Sequence, residues 1–263
     1  MSATADTVSP PKLRFPWRWL LIAVLAYLVF LIATIPAVRM LPRLIPFGIQ
    51  AVGASGTLWN GQVAALNARG ISLGATQWRL QPWRLVTGKL GASIHSKNDN
   101  GYIDADVVVG FSGAIQLRNV RALLPLNALY GLQLPGGGLN GWTGTLQAEL
   151  DQVELVKQWP IALVGRVDVR DLVGPPREPV QLGSYRLTFT PSTDKNLQGV
   201  LSSEEGALLD AVGSVRLSVD RSYVVDVQVA ARPGAPANIA RVLEYLGVPD
   251  AQGRRPLSLA GEL

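Results

Sequence analysis

The chain has no cysteine and only one histidine, His95, in 263 residues. Without cysteine there is no disulfide framework, no thiol nucleophile and no thiolate metal site. With one imidazole and no thiol, neither a nucleophile–base pair nor a typical zinc shell can be assembled. The lack of cysteine is compatible with an oxidising compartment without requiring one. Charge is also scarce, at 16% of residues, and the mean hydropathy is positive.

The net charge of +5 is unevenly placed. Residues 1–43 contain Lys12, Arg14, Arg18, Arg39 and Arg43 against Asp6, which is 5 − 1 = +4; the rest holds 19 Lys/Arg against 18 Asp/Glu, or +1. The basic pI therefore reports the N-terminal region. No stripe of Lys/Arg interleaved with aromatics is present, so a nucleic-acid partner is not expected.

One long apolar run is present. From Trp19 to Val38, WLLIAVLAYLVFLIATIPAV carries no charge over 20 residues, enough for a helix to span roughly 30 Å of hydrocarbon. A cleaved signal peptide has a shorter apolar core, and the cut after Ala37 would place bulky Ile35 where a small residue belongs. The run therefore predicts an uncleaved transmembrane helix over 17–38, with 1–16 as a cytoplasmic segment on a slight positive-inside bias. Trp17 and Trp19 sit where interfacial aromatics are expected.

Beyond Pro42, Pro46 and Gly48, strand patterns dominate. In YVVDVQVAAR, Tyr223, Val225, Val227 and Val229 alternate with Asp226 and Gln228; Leu146, Ala148 and Leu150 alternate with Gln147 and Glu149. Turn-forming KNDNG, LPGGG and DRSY separate such runs, the pattern of antiparallel strands. Two segments predict short helices. PANIARVLEYLGVPD has Asn238 as a candidate cap and Gly247 and Pro249 as a stop, and VRALLPLNALYGL has Pro125 suited to a first turn. The expected fold is mainly β, with the β-rich body over 45–263.

Two stretches echo each other: LGATQWRLQP at 73–82 and LGSYRLTFTP at 182–191. Each follows a Gly-Thr-Leu segment and precedes a glycine-bearing strand. The reading is a duplicated strand module giving two similar β-lobes in a curved sheet, 45–135 and 136–263. The competing reading is chance recurrence of a period-two pattern. The first predicts Trp78 and Tyr185 at equivalent buried positions.

Candidates for chemistry are few. His95 lies beside a polar turn. Asp104 and Asp106 share a strand face, a spacing that suits a metal or a proton-transfer pair but equally the polar face of an amphipathic strand. Glu204 and Glu205 read as turn residues, and Asp168 and Asp171 flank a strand end. LPGGGLNG lacks the Gly-Lys-Ser/Thr ending of a phosphate loop. Trp59, Trp78, Trp83 and Trp142 are read as core fillers rather than a ligand groove. No catalytic, cofactor-binding or metal-binding residue is expected.

In order along the chain stand the basic N-terminus with its apolar helix, SGTLWNGQ, LGATQWRLQPWRLVTGKL, VRALLPLNALYGLQLPGGGLNGWTGTLQAEL, LGSYRLTFTP, SEEGALLDAVGSVRLS and ARVLEYLGVPDAQGRRPLSLAGEL. In this order and spacing the chain resembles the type II secretion system protein N family of Gram-negative bacteria, from about residue 16 onward. The resemblance implies an inner-membrane single-pass protein whose β-rich body lies in the periplasm. It also implies a non-enzymatic accessory or scaffold subunit that contacts other secretion subunits during export of folded proteins across the outer membrane. That family brings no catalytic residues, cofactor or small-molecule substrate. The WRLxPWRL segment is also similar to strands of AsmA-like envelope proteins, which implies as the alternative a groove that binds or conducts lipid.

Overall fold

The computed structural model describes residues 17–39, 48–68, 71–110, 112–130, 139–157, 159–175, 179–191 and 196–262. The chain divides into two units, Met1–Ile35 and Pro36–Leu263. In the first, a helix α1 runs over Trp17–Ala33, 17 residues. Its described side chains are exposed and apolar nearly all round, with Leu25 64% and Phe30 62% exposed. It stops short of the expected 38 because Pro36 lacks an N–H and disfavours helical backbone at Ile35. Thr34 closes the last turn by donating its hydroxyl to the Phe30 carbonyl. No helix among the described residues is long and apolar enough to cross a membrane.

The second unit is one antiparallel sheet of 14 strands. The strands are β1 (Ile49–Val52), β2 (Ser55–Gly56), β3 (Asn60–Ala68), β4 (Ile71–Gln81), β5 (Lys89–Asn98), β6 (Gly101–Gly110) and β7 (Ile115–Pro125), followed by β8 (Thr143–Val156), β9 (Trp159–Val173), β10 (Gln181–Phe189), β11 (Leu197–Ser203), β12 (Leu209–Leu217), β13 (Ser222–Ala231) and β14 (Arg255–Glu262). From β3 to β14 each strand pairs with its chain neighbours. At the start, β1 and β2 both pair with β3, β1 against its second half and β2 against its first. This is the topology that alternating strands and short turns favour, since sequential hairpins need no crossover.

Partners directly opposite in an antiparallel ladder lie on the same face, so the registers trace rows across the sheet. One row runs Val63, Thr76, Ser96, Ile103, Ala122, Ala148, Val167, Leu187, Leu201, Gly213, Val227, Leu257, one residue from each strand β3 to β14. It is apolar or small throughout. Its two hydroxyls, on buried Thr76 and Ser96, are bonded to each other at 3.0 Å, and Ser96 also donates to the Leu73 carbonyl. A row on the opposite face runs Gln62, Gln77, His95, Asp104, Arg121, Glu149, Arg166, Thr188, Val200, Ser214, Asp226, Ser258. One valine interrupts it.

Two patches of the apolar face are covered by short elements, and among the described residues no second sheet packs on it. A 3-10 turn, Leu126–Leu129, places Leu126 and Leu129 with Leu124 against Ile103, Leu146 and Val169. A helix α2, Ala237–Glu244, lays Leu243 on Ala211, Val227 and Val229. The sheet curls: the Trp159 indole N–H, at the start of β9, donates to the Ser218 carbonyl just past β12, at 2.8 Å. No side chain among the described residues is completely buried, as expected of a core one sheet thick.

The sheet modifies two expectations. It runs unbroken across the boundary expected between the lobes 45–135 and 136–263: β7 and β8 pair from Ile115↔Leu155 to Pro125↔Thr145, although the dividing turn 134–138 lies outside the described residues. The echo is also out of step. The first Gly-Thr-Leu segment leads through β2 into β3, next to β4, whereas the second opens β8, with β9 between it and β10. Trp78 and Tyr185 are both half-buried. Of the two expected helices, VRALLPLNALYGL begins as the end of β7, Val120–Pro125, because Val120, Ala122 and Leu124 continue the alternation, and goes on as the 3-10 turn Leu126–Leu129. In the other, Pro236 rather than Asn238 is the cap.

Candidate functional site

The polar face gathers most of the candidate residues. His95 on β5 and Asp104 on β6 are register partners, and the imidazole Nδ1 stands 2.9 Å from the carboxylate. Asp106, one step along, accepts hydrogen bonds from the Ser93 hydroxyl and the Asn119 amide at 2.7 and 3.2 Å. Asn119 has φ 51°, at the irregularity that shifts β7 by one residue against β6. An asparagine tolerates that left-handed backbone better than most residues. His95 and Asp104 had no partner in the sequence reading; cross-strand register supplies one. The pair is open to solvent, at 66% and 41% side-chain exposure, and the neighbouring Ser93 hydroxyl is committed to Asp106.

A second cluster lies on β9 to β12. Asp168 is 3% exposed and is held by both the Nε and an Nη of Arg186 on β10, at 2.7 and 3.3 Å. Arg186 also pairs with Glu204 at 3.0 Å, and the Asp168 hydrogen bond raises its pKa. Next to this, Asp210 on β12 receives Arg254 at 2.8 Å and Arg232 at 3.6 Å. Partial burial of Asp210 works against its charge, but Arg254, the Ser203 hydroxyl and Arg232 outweigh it and hold its pKa below the ordinary carboxylate value. Arg232 also donates to the Ser203 hydroxyl and the Glu204 carbonyl. The sequence reading set Asp168 and Glu204 apart as a strand end and a turn; two arginines join them into one network.

These carboxylates are cross-strand clamps. A general acid at neutral pH needs a raised pKa, and Asp210 moves the other way. Among the described residues no group of three or more His, Asp or Glu side chains is placed to hold a metal ion. An open cleft of about 610 Å³ is lined by Asp171, Val173, Gly183, Leu208, Gly234 and Pro236, and Asp171 is the charged residue among its described lining. The tryptophans are dispersed. Trp78 lies over Gly61, where any Cβ would collide with its ring, and donates its indole N–H to the Leu58 carbonyl at 2.8 Å. Trp83 is 65% exposed under the Arg84 guanidinium, so it does not fill the core as expected. Glu205 lies in the β11–β12 turn, and the LPGGG glycines lie outside the described residues.

The described residues form a continuous one-sheet body with a polar face of paired charges. The family model of type II secretion system protein N matches residues 48–258. The chain belongs to that family. It is 32% identical over 245 residues to the type II secretion system protein N of Aeromonas hydrophila, covering 90% of this chain and 95% of that one. To the Vibrio cholerae serotype O1 protein of the same name it is 26% identical over 231 residues, covering 86% and 90%. No solved structure matches. Within the type II secretion system protein N match lie β1 to β13 and the first half of β14, with both charge clusters, whereas α1 lies outside it.

Proposed function

We propose that this protein is a non-enzymatic accessory subunit of the type II secretion system, anchored in the inner membrane by the segment around α1. Its sheet stands in the periplasm and contacts other subunits of the machine during export of folded proteins across the outer membrane. Membership of the protein N family over most of the sheet carries this reading. The site geometry supports it, because ionic groups of the polar face are paired with one another, including His95 with Asp104 and Arg186 with Asp168 and Glu204, which line its open surface depressions. For the anchor, the support is the uncharged run Trp19–Val38 and the all-round apolar surface of α1, which water does not favour in an isolated helix.

The deciding experiment places a photo-crosslinking residue at exposed positions of the polar face in cells that secrete a type II substrate. Crosslinks to inner-membrane or periplasmic subunits of the apparatus are expected, together with impaired secretion when the gene is deleted. Normal secretion in the deletion strain and no crosslink to any subunit would overturn the reading. The anchor is tested separately by a C-terminal topology reporter. Activity of a cytoplasm-only reporter there would refute the periplasmic placement.

A second reading is favoured by one observation: the apolar rows are covered by a 3-10 turn and one short helix, not by an opposing sheet. Such a face suits the AsmA-like alternative, in which acyl chains lie along the sheet. Phospholipid co-purifying in stoichiometric amount, in place of subunit crosslinks, would decide for it.

A further inference from the structure

The sheet has two edges, and they are unlike. At one, β1 is only 4 residues long. At the other, β14 is 8 residues long and exposed along most of its length, with Leu257 at 43% and Leu259 at 41%. Its ladder with β13 has no bulge. Edge strands are ordinarily protected by a central lysine, a bulge or inward-pointing charge. In β14 the charges stand at the two ends, Arg255 and Glu262, and Leu257–Ser258–Leu259–Ala260–Gly261 is left bare.

Pro256 sets which way this edge points. Proline is tolerated in a strand where the missing N–H faces away from the neighbour, so residue 256, and with it 258, 260 and 262, directs its backbone groups outward. Ser258, Ala260 and Glu262 then offer N–H donors, and Pro256, Ser258 and Ala260 carbonyl acceptors, to a further antiparallel strand.

We propose that the occupant is β14 of a second copy of this chain, paired antiparallel about a two-fold axis at Ser258. In that register Ser258 faces Ser258, Leu257 faces Leu259 of the second copy, and Pro256 faces the small Ala260. The Val227–Leu257 row continues into the Leu259–Val225 row of the second copy, and the Asp226–Ser258 row into its own counterpart. The ends are complementary as well. Arg254 and Arg232 share the single carboxylate of Asp210, whereas Glu262 has no ion pair among the described residues; the two-fold sets Glu262 of one copy opposite Arg254 of the other. The outcome is a continuous sheet through two molecules. Pairing along 8 residues buries less than the roughly 1,200–2,000 Å² of a stable interface, so this contact forms at high local concentration rather than in dilute solution.

The absence of cysteine makes the test direct. Full-length S258C in detergent is treated with a short bis-maleimide, beside S112C, which places its thiol in the β6–β7 turn and measures chance encounters within one micelle. S258C dimers are expected to form several-fold faster. L257K, which alters an already exposed side chain, and A260P, which removes an outward N–H while sparing the β13 ladder, should each bring S258C back to the S112C rate. Equal rates for the two cysteines, or an S258C rate indifferent to both L257K and A260P, would overturn the proposal. So would crosslinking of S258C in cell envelopes to a different protein in place of its own dimer.

Discussion

The two faces of the sheet use the same alternation to opposite ends. On one, each residue of the row from Val63 to Leu257 is apolar or small, and stability comes from area removed from water. On the other, the row from Gln62 to Ser258 is polar at nearly every strand, and His95–Asp104, Glu149–Arg166 and Arg216–Asp226 pair across neighbouring strands. Exposed pairs of that kind contribute little each. What they supply is register: a one-residue slip would carry the whole charged row into the apolar face. The difference teaches that the fold is held by one face and specified by both.

The largest effect should come from putting a charge on the wrong face. Val227 is 5% exposed at the centre of the cluster under α2. Val227→Asp buries an unpaired carboxylate there, and a loss of about 4 kcal/mol is expected in chemical denaturation. Tolerance of this change would mean that the apolar face is wet. Trp78→Ala comes next, at about 3 kcal/mol, toward the low end for large-to-small changes because the ring is half-buried. The same position tests the close approach over Gly61: Gly61→Ala alone should destabilise, and Trp78→Ala should relieve part of that cost in the double variant.

How much of this was legible beforehand depended on whether the signal was local. Strand alternation in β8 and β13 was plain because period two is read from adjacent residues. Helix α2 was legible from its apolar spacing, although its cap was misplaced by two residues, since Asn238 suits a cap by type while Pro236 takes the position by its fixed φ. The Leu126–Leu129 turn was overextended into a helix because Leu123, Leu124 and Leu126 fit either period. The charge clusters were invisible, as Asp168–Arg186 and Asp210–Arg254 are 18 and 44 residues apart and only the register brings them together. The duplication was not decidable from the sequence for the same reason: a local echo carries no information about the intervening strand β9.

Between the two faces stands Asp168, nearly as buried as the core although it belongs to the polar rows. Asp168→Ala leaves Arg186, which is 36% exposed and can turn to water, with Glu204 alone as an ion-pair partner. A loss of about 2 kcal/mol is expected, below that of Val227→Asp. A larger loss would place Arg186 in a drier setting than its exposure indicates.

Acid titration sharpens the comparison further. The folded pKa of Asp210 is lowered, so its carboxylate adds stability that is fully present above the ordinary, unfolded pKa of about 3.9 and is lost as pH falls through the lower folded value. Asp210→Asn should therefore flatten the stability profile on the acid side, below about pH 4, and lower stability by a constant amount at neutral pH. An unchanged acid limb would show that Arg254 and Arg232 do not favour the ionised form.

The smallest effect should come from the residues with the most catalytic appearance. His95 and Asp104 form an imidazole–carboxylate pair at 2.9 Å, but both are substantially exposed, so their attraction is screened and their side chains give up conformational freedom to meet. His95→Ala should change stability by less than about 0.5 kcal/mol. If the polar face serves register and contact rather than chemistry, His95→Ala, and Asp104→Ala combined with Asp106→Ala, should leave secretion of a type II substrate at the parental level when protein abundance is matched. The paired aspartate change is the more demanding, because Asp106 also anchors Ser93 and Asn119, and abundance must be measured before secretion is compared. Loss of secretion at full abundance, restored by Asp104→Glu but not by Asp104→Asn, would demand a carboxylate beside His95 and would turn this pair from a clamp into a site.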